Sequence, residues 1–212
     1  MIVPYPLSDA YHIELGLSKA AIYGTKPDHA CFISTIVPEA SYVSLGASNK
    51  AEQNVNLSAC QQDGVKVFKR LSGGEAVFLS PNCVVYSQVL VADNLPKSSD
   101  FFASNLEHIS LILNSLGVLN ITRKGISDLA LGDKKILGSA IYRKTHFILF
   151  QAVLNVCEAP ELIERYLLYP QREPDYRKGR AHSEFITSLH LNGYSLSPQV
   201  VANSLCGNCN EV

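Results

Sequence analysis

The clearest helical pattern in the chain is "SSDFFASNLEHISLILNSLGV", residues 98–118. Phe102, Leu106, Ile109, Leu113 and Leu116 fall on one face at helical spacing, after an Asp or Ser suited to capping. Shorter runs show strand character: "ACFIST" (30–35), "SYVSLG" (41–46), "VKVFKR" (65–70), "EAVFLS" (75–80) and "CVVYSQVLVA" (83–92). "KKILGSAIYR" (134–143) and "HFILFQAVLNV" (146–156) read as a hairpin. Three further helices are predicted: residues 8–23 behind Ser8, residues 51–63 ending at Asp63-Gly64, and "APELIERYLL" (159–168) with proline at its start. Residues 169–190 are loop-rich and charged, and the residues after them form a tail or a short helix. The order helix, strands, helix, strands, helix predicts an α+β domain with one main, mixed and mainly antiparallel sheet packed with helices.

Composition narrows the class. The chain has 212 residues, 47% apolar and 17% charged, with a formal net charge of -1. Such a chain can bury one good core, and its charge argues against nucleic-acid binding through bulk electrostatics. The start, "MIVPYPLSDAY", carries neither a basic nor an apolar leader region, and no run has the ~18 apolar residues of a membrane span. Six scattered cysteines make no disulfide framework. The expectation is a soluble, monomeric cytoplasmic protein.

Two stretches carry chemistry. In "VFKRLSGGEAVFLSPN" (67–82), Ser72-Gly73-Gly74 stands between two predicted strands. It reads either as a hairpin turn or as a bare backbone cradle for an anion, because glycine lets a ligand lie against the main chain. Strand alternation puts Lys66, Phe68 and Arg70 on one face, so Arg70 reaches the corner. In "SDLALGDKKILGSA" (127–140), alternation groups Lys135 with Leu137 and Ser139 and turns Lys134 away. Lys135 reads either as a solvated strand end or as a ligand contact beside the small residues Gly138, Ser139 and Ala140, with Asp128 placed to hold a cation or amine. Arg70, Lys135 and a bare corner around one cleft suit a reaction joining a carboxylate to a nucleotide phosphate, where charge builds on phosphoryl oxygens.

These same stretches resemble a known family. "KRLSGGEAVF" resembles the signature of the lipoate–protein ligase A family, and "LGASNKAEQNVNLSACQQDGVKVFKR" resembles its approach. "SDLALGDKKILGSAIYR" resembles the second motif, and "PDYRKGRAHSEFITSL" (174–189) the third. The resemblance implies a biotin/lipoate ligase-like catalytic domain over residues 1–190, followed by a tail at 191–212. It implies activation of lipoate by ATP and Mg²⁺ to lipoyl-AMP. The acyl group then passes to a lysine on a lipoyl domain of a 2-oxo-acid dehydrogenase or on a glycine-cleavage carrier protein. Arg70 matches the arginine that meets nucleotide and carboxylate. Ser72, Gly73, Gly74, Glu75, Ala76, Val77 and Phe78 match the corner and strand start lining the nucleotide. Lys135 matches the lysine contacting carbonyl and phosphate, Asp128 the acid near the accepting amine, and Gly138, Ser139 and Ala140 the small residues beside them.

The sequence departs from that pattern at Glu75, where a third glycine is usual, at Ala47, where arginine is usual, and at Gln151-Ala152-Val153, where His-Gly-Thr is usual. Its length leaves no room for the accessory C-terminal domain of longer ligases, so it resembles short members or needs a separate chain. Two alternatives follow from these departures. One is an octanoyl or lipoyl transferase using Cys83 or Cys157 as nucleophile, although Gly125, Ile126 and Ser127 stand where its cysteine is usual. The other is a non-catalytic lipoyl- or adenylate-binding homologue. The six histidines form no metal-binding pattern, His182 reads as a structural hydrogen-bonding residue, and "CGNC" (Cys206, Cys209) lacks a second ligand pair.

Overall fold

A computed structural model describes residues 2–3, 29–70 and 72–206. The helix expected at 8–23 lies outside these residues, as do Leu71 and Cys209. In chain order the strands are β1 (Ile2–Val3), β2 (His29–Ile36), β3 (Tyr42–Leu45), β4 (Lys66–Lys69), β5 (Val77–Leu79), β6 (Cys83–Ala92), β7 (Ile121–Lys124), β8 (Asp128–Leu131), β9 (Lys134–Arg143) and β10 (Phe147–Asn155). The helices are α1 (Ala51–Asn54), α2 (Leu57–Gln62), α3 (Ser98–Ser115), α4 (Pro160–Tyr166), α5 (His182–Phe185) and α6 (Pro198–Cys206).

The strands form the expected main sheet and a second, smaller one. The larger is antiparallel in the order β2-β6-β10-β9-β8-β7, and the smaller is mixed in the order β1-β4-β3-β5. In the smaller sheet β4 runs parallel and β5 antiparallel to β3, so both pair with β3 and not with each other. The Ser72-Gly73-Gly74 corner joining β4 to β5 therefore crosses the end of β3. It is not a hairpin turn.

The main core lies on one face of the larger sheet. Tyr86 of β6, Phe150 and Ile148 of β10, and Leu129 of β8 pack with Leu106, Ile109 and Leu113 of α3 and with Val201 and Leu205 of α6. Tyr86 and Phe150 meet edge to face at 6.1 Å, and Phe102 meets Phe150 at 6.0 Å. Each such ring pair adds about 0.5–1.5 kcal/mol beyond its buried area. On α3 the buried stripe is rotated from the predicted one: Phe101 and Ile112 join Leu106, Ile109 and Leu113, while Phe102 and Leu116 are only partly covered. Asn105 enters the stripe because its side chain donates to Phe101 O at 2.9 Å. Helix α6 closes the core from the C-terminal side, where Thr35 Oγ1 donates to Ala202 O at 3.0 Å.

A second core joins the smaller sheet to α1, α2 and α4 through Val43, Leu45, Val67, Phe78, Ile163 and Tyr166. The helix expected at 51–63 is two helices, because Val55 makes a β-bridge to Leu167 and Asn56 caps α2 through Ala59 N at 3.2 Å. Tyr42, Leu79 and Val85 pack where the two sheets face each other. The cavity opens beside that junction.

Candidate active site

The cavity has a volume of about 360 Å³. Its walls come from both sheets and from the segment 170–186. The smaller sheet supplies Ser44, Val77 and Leu79, the larger one Val85, Gln151 and Val153, and the third wall Arg172, Arg177, Phe185 and Ile186.

Lys135 reaches this cavity because of a β-bulge. Asp128 pairs with Gly138 and Leu129 with Leu137, but Ala130 pairs with Lys135, leaving Ile136 as the extra residue. Side chains paired across a ladder share a face, so the bulge puts Lys135 with Gly138 and Asp128, and opposite Leu137. The regular alternation expected from sequence, Lys135 with Leu137 and Ser139, does not hold. The core explains the cost of the bulge: it lets the consecutive residues Ile136 and Leu137 both be buried.

Lys135 Nζ lies 2.9 Å from Asp128 Oδ1. The lysine side chain is 27% exposed and the carboxylate 5%. Tyr176 OH donates to Asp128 Oδ2 at 2.8 Å, and Ser127 Oγ donates to Oδ1 at 3.2 Å. Burial and the adjacent carboxylate raise the Tyr176 phenol far above its ordinary range, so it stays a donor. Ser139 turns its hydroxyl to Ser127 O at 2.7 Å and fixes the start of β8.

The corner is organised by Arg70, which is 9% exposed. Its Nε donates to Ser72 Oγ at 3.1 Å and Nη1 to Ser44 O at 2.8 Å. Nη2 donates to Gly73 O at 2.7 Å and to Glu75 O at 2.8 Å. A planar fork of fixed donors suits this work, and one guanidinium holds the end of β3 and both sides of the corner. Ser72 continues the chain by donating to Gln151 Oε1 at 3.1 Å. The same guanidinium lines the cavity while four of its bonds go to the protein itself.

The corner requires two glycines. Gly74 has φ +90°, and a β-carbon there would stand 3.1 Å from Arg70 Nη2. Gly46, at the end of β3, faces Gly74 O so closely that a β-carbon would stand 1.9 Å from it. Glu75 lines the cavity, with its carboxylate accepting from Asn49 Nδ2 at 3.2 Å.

Of the residues singled out in the sequence, Arg70, Ser72, Gly74, Glu75, Ala76, Val77, Asp128, Lys135, Gly138, Ser139 and Ala140 line this one cavity. Two do not. Gly73 contributes its carbonyl to Arg70, and Phe78 points to the opposite face of its strand, where it stacks on Tyr166 at 4.9 Å. Gly46, Tyr176, Phe185 and Arg177 belong to the site without having been predicted. The third motif pointed to the last three as a segment, but nothing in its spacing tells which side chains turn inward. Arg177 is 3% exposed, with its guanidinium 4.8 Å from the Tyr169 ring centre and 4.9 Å from that of Phe185.

The cysteines expected of a transferase lie elsewhere. Cys83 is 2% exposed in β6, and burial pushes its thiol up to about 12. Cys157 is also raised by burial, and its Sγ lies 3.6 Å from Leu196 O. Among the described residues no cysteine lines the cavity, and no three His, Cys, Asp or Glu side chains group as metal ligands.

Residues 16–208 match the family model of the lipoyl protein ligase A/B catalytic domain. The chain belongs to that family. The lipoate-protein ligase A of Blochmanniella floridana is 35% identical over 106 residues, which are 47% of this chain and 29% of that protein. The chain thus spans less than two thirds of the length of the curated relatives it matches. The lipoyl protein ligase A/B catalytic fold is shared with solved structures. A lipoate-protein ligase A bound with ATP superposes with a TM-score of 0.73 at 21% identity, covering 97% of this chain and 80% of that one. The bipartite lipoate protein ligase of Thermoplasma acidophilum, studied with its E2 lipoyl domain, gives 0.73 at 20% identity, covering 96% and 78%. The Thermoplasma acidophilum protein Ta0514 with bound lipoic acid gives 0.75 at 19% identity, covering 97% and 81%.

Proposed function

We propose that this catalytic domain activates lipoate with ATP and transfers the lipoyl group to a lysine of a lipoyl carrier domain. One observation carries the reading. The Lys135 ammonium, held by Asp128, stands in a cavity that also contains the glycine corner and an apolar wall of Val77, Leu79, Val85 and Val153. The solved neighbours with bound lipoic acid and with ATP, and the bipartite ligase studied with its E2 lipoyl domain, support the same reading.

In the first step the lipoate carboxylate attacks the α-phosphorus of ATP, an O–P bond forms, and pyrophosphate leaves. Negative charge grows on the phosphoryl oxygens, and Lys135 is a cation placed in the cavity to meet it. In the second step the acceptor amine attacks the acyl carbon and AMP leaves with the bonding pair. The amine must be neutral to attack; the proton it sheds as the C–N bond forms passes to the departing phosphate or to solvent, and Asp128 stands beside that position with its oxygens on Lys135 and Tyr176. Arg70 acts on the corner that receives the nucleotide and holds its shape. Mg²⁺ would enter with ATP and offset phosphate charge; Glu75, Asp128 and Glu173 are the cavity's carboxylates, although among the described residues no three such side chains group as metal ligands.

The test supplies purified protein with lipoate, MgATP and an apo lipoyl domain, and reads the acceptor's mass. A lipoyl adduct that requires ATP and accompanies pyrophosphate release is expected. An adduct formed from an octanoylated carrier protein without ATP, or none with ATP, would overturn the proposal.

A further inference from the structure

We infer that Tyr176 is a positioning residue that keeps Lys135 available to ligand by occupying the second oxygen of Asp128. The inference rests on the proposed ligase reading for its kinetic consequence, but the geometry stands by itself. An ammonium has three N–H donors and a carboxylate two acceptor oxygens. Asp128 is almost fully buried, and a buried carboxylate oxygen without a donor is costly. Tyr176 OH satisfies Oδ2 at 2.8 Å, so Lys135 needs to serve Oδ1 alone at 2.9 Å. Two ammonium protons are then left to face the cavity.

Without the phenol, the donors left on the carboxylate are Lys135 and the Ser127 hydroxyl, and of the two only the ammonium is charged. The carboxylate would turn to engage the ammonium with both oxygens and draw it out of the cavity. Tyr176 is held for its task by the segment it belongs to: its ring lies 5.0 Å from Phe185, and Arg180 Nη2 donates to Tyr176 O at 2.9 Å. The third wall thus sets how tightly the pair from the larger sheet is closed.

Tyr176→Phe keeps the ring and removes only the donor. In full-length protein without ligand, a pulse of acetic anhydride read by peptide mass reports the reactivity of Lys135, with exposed Lys134 as the internal control. Acetylation of Lys135 is expected to slow about tenfold in Tyr176→Phe, the lower end of what a hydrogen bond to a charged group is worth. Asp128→Asn should speed it, the double variant should follow Asp128→Asn, and Lys134 should not change. In the lipoylation assay Tyr176→Phe should lower kcat about tenfold with KM for ATP within twofold. A purely structural role would loosen the site and speed acetylation in both single variants. That outcome, or a wild-type rate in Tyr176→Phe, overturns the inference. A wild-type protein inactive in lipoylation overturns the ligase reading instead, while the acetylation rates still decide the role of Tyr176.

Discussion

Lys135 lies directly across Gly138: a β-carbon at position 138 would stand 2.6 Å from both Cε and Nζ of the lysine. The obstructed atoms are the far end of a flexible side chain, so the backbone can stay in place while the ammonium is expelled. Gly138→Ala should therefore behave as Lys135→Met does. Both variants should lose about 100-fold or more in ATP-dependent lipoyl transfer, as expected when one preorganised donor is removed. Their far-ultraviolet circular dichroism should match wild type. Transfer by either variant within threefold of wild type would remove Lys135 from the chemistry.

Gly46 offers the contrasting case. The atom 1.9 Å from its virtual β-carbon is the Gly74 carbonyl oxygen, which is backbone and cannot swing aside. Gly46→Ala should displace the whole corner and cost about 3 kcal/mol, in the range of overpacking. Urea denaturation checks the stability, and the same variant should lose ATP binding in calorimetry.

Arg70 should report on stability more than on affinity alone. Its bonds to Ser72, Ser44, Gly73 and Glu75 need a planar fork, which lysine cannot reproduce. Arg70→Lys keeps the charge yet should destabilise the fold by about 2–4 kcal/mol, because buried carbonyls lose charged donors. A variant with wild-type stability and weakened ATP binding would place the guanidinium on the ligand instead.

Two histidines set a pH dependence. Burial holds His108 and His182 below their ordinary range, and His182 Nε2 meets Leu168 O at 3.1 Å. Both are therefore neutral in the fold at pH values where the unfolded chain has begun to bind protons. Their contribution to stability is complete above about pH 6.5 and is lost as pH falls. The urea midpoint should drop between pH 7 and pH 5, before ordinary carboxylates titrate. His182→Gln, which preserves a donor toward Leu168 O, should flatten that drop.

Much of the architecture is legible along the chain. The apolar runs of β6, β9 and β10 are long enough to be strands under any pairing, and the 98–115 periodicity forces a helix. The family motifs, in their order, single out Lys135, Asp128 and the glycine corner, and Lys135, Asp128, Ser72 and Gly74 do line one cavity. Strand partnership is a different matter, because a period of two says which face is buried and nothing about the neighbour. Only the folded chain puts β4 and β5 on either side of β3, so that the corner bridges across and needs Arg70 to hold it.

The site shows the same division. Residue types and their local spacing determined that a lysine, an acid and a bare backbone corner are present. Tertiary structure decided which way each one faces. The bulge at Ile136 exists because the core accepts Ile136 and Leu137 together, a demand set by α3 and α6 from distant parts of the chain. Tyr176 meets Asp128 from 48 residues away, across a contact that no local pattern encodes. Hydrogen bonds of that kind depend on where whole elements pack, and packing is decided by all the buried faces at once.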